Sequence, residues 1–420
     1  MNVLAHGLGG RTDLPLNGTA AVIGGGIVVA ASFLALAKLW TRPWLDPNSG
    51  KELSWARVAD SAVLRRTCRI IALALSLGVV AVAFLGPPET ERNLAPWALY
   101  VTFWVGLVPV SALFGPVWRI VNPLRALHIP NRRPPRPMPS WLGYWPAAGW
   151  LAAFVWLELV VPERADPRLV GWVLVGYAAI NLAAARVYGP AWFARGDGFE
   201  VYSTLIAELS PIGRRDDGTF VLRNPLAGLV RTEIEPGLTA LACVLVGGTA
   251  FDGLTRTTFW TSTGWLTDTI GLAGSIAAVS VLYWGAMRVS RRISRADHGL
   301  AEIFAPTLLP IALGYAIAHY FSFFLLEGQN TLILASDPFG TGLDLLGLSG
   351  HSVNYGLLTP EIVAMVQINA IVLGHIASTA AAHDQALRLF TPELARRGQI
   401  PVVLAMVLLT STGLLLLLSG

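Results

Sequence analysis

An all-α, polytopic bundle of about ten membrane-spanning helices is the fold class the sequence predicts. It rests on a shortage of charge, recurrent apolar runs of spanning length, and basic residues confined to alternate connections. Of 420 residues, 54% are hydrophobic and 13% are charged, where an ordinary soluble domain carries roughly 25% charged residues. With a mean hydropathy of +0.57 the chain cannot cover itself with polar surface, which excludes a soluble globular enzyme and a disordered chain. The 42 glycines follow no period and there are two cysteines, which excludes collagen-like and disulfide-rich classes. Cys68 and Cys243 are read as unpaired thiols.

About 20 apolar residues cross a hydrocarbon core of ~30 Å as a helix. Ten stretches qualify, approximately 18–40, 68–86, 94–114, 141–161, 168–188, 236–253, 266–287, 301–326, 361–383 and 400–420. No alternating pattern of ten-residue segments recurs, so helices are preferred to a barrel. The first stretch follows a tail, 1–17, with one basic residue, Arg11, and precedes Lys38, Arg42, Lys51 and Arg57. That is the reverse of a signal peptide's charge order, and it predicts an anchor with an exported tail. The connections after spans one, three, five, seven and nine hold 25 of the 30 Lys and Arg residues. This positive-inside asymmetry supports the span count and places both termini outside the cytoplasm. Topology and contact with anionic lipid account for the basic inner face, so no nucleic-acid partner is invoked. Gly24-Gly25-Gly26 in span one predicts close helix packing, because small residues let transmembrane backbones approach.

Three connections do more than join helices. The cytoplasmic connection 115–140 carries Trp118-Arg119-Ile120-Val121-Asn122-Pro123-Leu124-Arg125 and a Pro/Arg stretch expected to be extended. The cytoplasmic connection 189–235 spaces Phe199, Val201, Leu205, Ile206 and Leu209 with Glu200 and Glu208, predicting an amphipathic helix on the membrane face. Asn-Pro-Leu occurs in both, at Asn122 and Asn224. The extracytoplasmic connection 327–360 has no Lys or Arg and carries apolar Leu332-Ile333-Leu334 and Leu345-Leu346. Those residues need burying, which predicts a cap folded back over the outer mouth of the bundle.

Ionisable residues at membrane depth are expensive and mark functional candidates. His319 lies in span eight with Tyr315 one turn earlier; Gln367, Asn369 and His375 lie in span nine, and His383 and Asp384 at the inner rim. Glu158 and Asp252 close spans four and six near the outer surface, and Arg256 follows Asp252 by one turn. Adding His6 and Asp13 from the tail, and Glu327, Asp337, Asp344 and His351 from the cap, gathers three His and six carboxylates at the outer mouth. Asp252, His319 and Glu327 are the candidate catalytic residues. His6, Asp13, His319, Asp337 and His351 are the candidate ligands of a divalent metal, since imidazole and carboxylate together suit Zn²⁺, Fe²⁺ or Mn²⁺. No H-E-x-x-H, C-x-x-C, Walker A, C-x-x-C-H or G-x-S-x-G is present.

Several segments together resemble a known family. They are His6-Gly7-Leu8-Gly9-Gly10-Arg11-Thr12-Asp13-Leu14-Pro15-Leu16, the run 100–125 ending in Trp-Arg-Ile-Val-Asn-Pro-Leu-Arg, Phe251-Asp252-Gly253-Leu254-Thr255-Arg256-Thr257, and 314–340 with Ala318-His319-Tyr320-Phe321 and Ala335-Ser336-Asp337-Pro338-Phe339-Gly340. As a set they resemble a family of bacterial multi-pass membrane proteins named fenitrothion hydrolase, or its membrane subunit, over nearly the whole chain. The resemblance implies hydrolysis of an organothiophosphate triester at its aryl P–O bond. A metal-bound hydroxide would attack phosphorus in line, on an apolar substrate that partitions into lipid.

Three functional readings follow. The first is a metal-dependent membrane hydrolase of organophosphate or thiophosphate esters with its site at the outer mouth. The second is a transporter or permease for a small solute or metal ion, with His319, Gln367, Asn369 and His375 lining a path. The third is a subunit or assembly factor of a membrane redox complex, its loops binding other membrane subunits.

Overall fold

The computed structural model describes residues 18–129, 134–297 and 299–419. Helices cross the molecule in chain order as α1 (Gly18–Leu39), α2 (Ala62–Leu85), α3 (Leu94–Phe114), α4 (Trp145–Leu159) and α5 (Pro167–Tyr188). A short α6 (Gly198–Ala207) intervenes, and then come α7 (Leu238–Thr255), α8 (Trp265–Ser294), α9 (Leu309–Ser336), α10 (Pro360–Leu389) and α11 (Pro392–Leu418). Nine of these are long and apolar enough to span a bilayer, with the short turn before α9 counted as part of it. The chain is thus an all-α, multi-pass membrane protein. The tenth expected span is α4, only 15 residues long, or ~22 Å at 1.5 Å per residue. A helix that short is tolerated because neighbours cover it: Leu151, Phe154, Val155 and Leu157 are buried.

Helix starts are written locally. Ser61 accepts from Leu64 N at the start of α2, Asp166 from Leu169 N before Pro167 of α5, and Thr359 from Ile362 N before Pro360 of α10. Both Asn-Pro-Leu triplets are caps of the same kind. Asn122 Oδ1 accepts from Leu124 N at 3.0 Å and Asn224 Oδ1 from Leu226 N at 2.9 Å, each with proline at the first helical position.

Contacts between connections sort them onto two faces. On the basic face, β1 (Lys51–Glu52) after α1 pairs antiparallel with β3 (Phe220–Leu222) between α6 and α7, Lys51 opposite Leu222, and β2 (Ile212–Arg214) completes a three-stranded sheet in the order β1-β3-β2. The carboxylate of Asp384 in α10 accepts from Leu45 N at 3.0 Å on the same face. On the opposite face Thr90 Oγ1 donates to Ala165 O at 2.9 Å and Tyr100 OH to Arg164 O at 2.8 Å. α4 runs between the two, from Tyr144, whose N–H bonds Pro236 O on the basic face, to the connection holding Arg164. For these connections the faces alternate as the Lys and Arg distribution predicts.

Small residues set the closest helix approaches. A Cβ on Gly314 of α9 would stand 2.5 Å from Ala370 O of α10, and one on Gly374 of α10 would stand 2.7 Å from Pro310 O. The α1/α11 seam uses Gly25, where a Cβ would meet Leu414 Cδ1 at 2.4 Å, and Gly26, where it would meet Ser411 Oγ at 3.0 Å; Gly24 faces open space.

Two expectations change. α6 does not lie on the membrane face: Phe199, Glu200, Val201, Tyr202, Ser203, Leu205 and Ile206 are all buried, so it is a core helix enclosed by its neighbours. The proposed cap is shorter than expected because α9 continues to Ser336. Leu345 and Leu346 remain exposed, so the loop does not bury its apolar residues over the bundle. It touches the protein through Gly340 against Pro87 and through Asn354 N, which donates to Gln329 Oε1 at 3.0 Å.

Candidate functional site

Asp252, Arg256 and His319 converge from two helices. Asp252 sits in the last turn of α7 and is buried. Arg256, one turn later at the helix end, reaches back to Asp252 Oδ2 at 2.8 Å. His319 of α9 places Nδ1 3.2 Å from the same oxygen. Gly253 lies beside the ring, and a Cβ there would meet Leu416 Cβ of α11 at a tight 3.3 Å and His319 Cε1 at an ordinary 3.6 Å. The rest of Phe-Asp-Gly-Leu-Thr-Arg-Thr closes the helix. Phe251 is fully buried, edge-on to Trp260, and the Thr255 and Thr257 hydroxyls donate to the carbonyls of Asp252 and Leu254 at 2.8 Å.

A second pair adjoins the first. Tyr320, next to His319 in α9, donates to Glu158 Oε1 of α4 at 3.0 Å, and the carboxylates of Glu158 and Asp252 lie within electrostatic reach of one another. The cluster thus draws on α4, α7 and α9. It sits where the two shortest crossings end, whereas α9 runs on from His319 to Ser336, another ~25 Å of helix at 1.5 Å per residue.

The pairing within this cluster is incomplete. The 3.2 Å approach of His319 Nδ1 to Asp252 is not aligned as a hydrogen bond, and Arg256 Nε, also shut off from solvent, has no partner among the described residues. Buried polar atoms are ordinarily satisfied, so two such nitrogens around one carboxylate mark a place where a further polar group can be taken up.

The other expected site residues lie elsewhere. Glu327, two turns beyond His319 on α9, accepts from Tyr355 OH at 3.2 Å. Asp337 closes a tight turn, accepting from Thr341 N at 2.9 Å and Gly342 N at 2.8 Å. Asp344 accepts from Ser336 Oγ and from Ser349 N, and these bonds hold its carboxyl below the usual range. His351 is exposed on the loop. His6 and Asp13 lie outside the described residues. Among the described residues no group of three or more His, Cys, Asp or Glu is placed to hold a metal ion. The expected ligands His319, Asp337 and His351 are not brought together, because Asp337 and His351 belong to the loop beyond α9. The described donor set does not fit a divalent metal centre.

In the deeper half, Gln367 is buried, and Asn369 turns back to donate to Met365 O at 2.8 Å. His375 is fully buried, with Nδ1 2.8 Å from Ile371 O and Nε2 without a partner among the described residues.

Sequence reasoning missed a second buried polar cluster, on the basic side. Glu200 of α6 accepts from Arg125 Nε at 2.8 Å, from Arg125 Nη2 at 2.5 Å and from Asn122 Nδ2 at 2.9 Å. Asp197, the N-cap of α6, accepts from Phe199 N and Glu200 N, from Tyr177 OH at 2.5 Å and from Asn122 Nδ2 at 3.0 Å. Burial pushes the Asp197 carboxyl up to about 6 against the pull of these donors. The signal lay in Asp197-Gly198 as a helix cap and in the Asn-Pro-Leu-Arg run, whose asparagine and arginine both turn inward.

No family model, curated protein or solved structure matches this chain.

Proposed function

We propose that the chain is a hydrolase of apolar phosphate or thiophosphate esters, embedded in a bacterial cytoplasmic membrane, with Asp252, Arg256 and His319 as its chemical centre. The observation that carries the reading is the convergence of His319 and Arg256 on one buried oxygen of Asp252 with nitrogen capacity left over. The resemblance supplies the substrate class, and a recessed site in an apolar bundle suits an ester that partitions into lipid.

In this reading His319 Nδ1, which makes no hydrogen bond among the described residues, is the base, and the Asp252 carboxylate beside it stabilises the imidazolium that forms. Water oxygen bonds to phosphorus, its proton passes to Nδ1, and the aryl P–O bond breaks with the electron pair leaving on the aryloxide. Arg256 offers positive charge to the non-bridging oxygen or sulfur as charge develops there. Glu327, occupied by Tyr355, has no part in the step.

The test is release of the phenol from an aryl thiophosphate triester by the purified protein in lipid nanodiscs. Turnover that falls at least about 100-fold in Asp252→Asn and persists in Glu327→Gln supports the reading. Absence of turnover in the unaltered protein, or equal loss in both variants, overturns it.

The second reading is passage of a proton or small solute along α9 and α10. His375 favours it, because an unpartnered ring nitrogen in a fully buried helix face is costly unless used. It predicts that His375→Ala abolishes uptake into proteoliposomes while leaving ester hydrolysis intact.

A further inference from the structure

A cavity of about 250 Å³ opens on the basic face between the end of α1, the last turns of α10 and the start of α11. Its lining includes Lys38, Trp40, Thr41, His383 and Arg396, and it lies far from the Asp252 cluster, at the opposite ends of the helices.

Three features of this cavity favour an anion. Lys38 pairs with no carboxylate among the described residues. Arg396 shares the single carboxylate of Glu393 with Arg397, so its charge is only partly offset. Pro392, at the first helical position of the 27-residue α11, also lines the cavity, and the Thr391 side chain does not cap that end. The positive end of the helix therefore adjoins the space.

The nearby negative groups are already engaged. Asp384 accepts from Trp44 N, Leu45 N and Arg388, and the Trp40 carbonyl lies 2.9 Å from His383 Nε2. The fully buried His383 ring is fixed between that carbonyl and Gln399 Oε1 at 3.1 Å, which makes it a rigid floor. The volume falls below the roughly 300–1,000 Å³ of pockets for drug-sized ligands. That suits one phosphate group with a small substituent.

We propose that this cavity binds a phosphate group, carried either by an anionic phospholipid headgroup or by a small soluble phosphate. The position favours the lipid source chemically, since basic pockets between helix ends at a membrane surface collect anionic headgroups. The shared chemistry is the same for both: two cationic side chains and a helix N-terminus beside a tetrahedral anion.

The test uses the full-length protein in phosphatidylcholine nanodiscs with and without phosphatidylglycerol, alongside a titration with inorganic phosphate in detergent, each read as a shift in melting temperature. At least one phosphate source is expected to raise it. Arg396→Gln is expected to weaken that binding about tenfold. Arg397→Gln removes the same charge from the same ion pair but does not line the cavity, and is expected to leave binding unchanged. Ala37→Phe keeps both cations and fills the space; it is expected to abolish the shift, and it keeps the test decisive if the charge variants fold poorly. A response to phosphatidylglycerol alone assigns the site to lipid, and saturation by inorganic phosphate assigns it to a soluble ligand; either supports the proposal. Equal weakening by Arg396→Gln and Arg397→Gln, an undiminished shift in Ala37→Phe, or no shift from either source overturns it.

Discussion

Around Glu200 and Asp197 each carboxylate oxygen meets at least one donor, from Arg125, Asn122, Tyr177 or the first N–H groups of α6. Around Asp252 the carboxylate pairs with Arg256 and lies beside His319, yet one nitrogen each of Arg256 and His319 has no hydrogen bond among the described residues. Both clusters hold carboxylates within an apolar bundle, and both join distant parts of the chain. The difference shows two uses of buried polarity. A fully paired network fixes the path of the backbone, here holding α6 inside the bundle, because every member would be orphaned by any other arrangement. An underpaired one leaves capacity for an incoming group, at a cost in stability.

The largest effect is expected from breaking the complete network. Glu200→Ala strands the Arg125 guanidinium and removes a partner of Asn122, and should cost about 3–5 kcal/mol. It is measured as a fall in the melting temperature of the solubilised protein; a near-unchanged value would contradict the assigned role.

Next is the seam that sets the position of His319. Gly314→Ala forces a Cβ toward Ala370 O at 2.5 Å, so α9 and α10 must separate, at about 1–3 kcal/mol. Melting should fall less than for Glu200→Ala, and turnover should fall with it because His319 lies on the displaced helix. A variant that melts normally would show the seam to be slack.

A smaller effect is a pH dependence. The folded pKa of Asp197 is raised to about 6, so the folded protein takes up a proton there at a pH where the unfolded chain does not. Stability from this group therefore rises as pH falls from 7 through 6 and levels off near the ordinary aspartate pKa, ~4. Asp197→Asn removes that slope. The unaltered protein should gain melting temperature relative to the variant between pH 7 and 5, and parallel curves would show that Asp197 titrates normally.

How much of this was legible in the sequence follows from the range of the forces involved. Spans and their alternation were legible because hydropathy and charge act locally, residue by residue. Gly25 and Gly26 were legible as packing because small residues in an apolar run have few other uses. α4 was legible as an apolar stretch, but not as a short helix, since its length depends on which neighbours cover it. α6 was misplaced because Glu200 reads as a polar face until Arg125, some 75 positions earlier, is brought against it. At the candidate site, Asp252 with Arg256 was visible as an i, i+4 pair, and His319 was singled out by its depth. Their meeting depended on the packing of α7 against α9, which no spacing encodes. Of the candidate metal ligands among the described residues, Asp337 spends its oxygens on its own loop and does not meet His319.

The most direct test of the contrast between the two clusters is His319→Gln, with turnover of the aryl thiophosphate ester and melting temperature read on the same preparation. The account predicts turnover lowered at least about 100-fold, with stability within about 1 kcal/mol of the unaltered protein because no complete network is broken. A melting temperature lowered as far as by Glu200→Ala, with turnover per folded molecule unchanged, would contradict it.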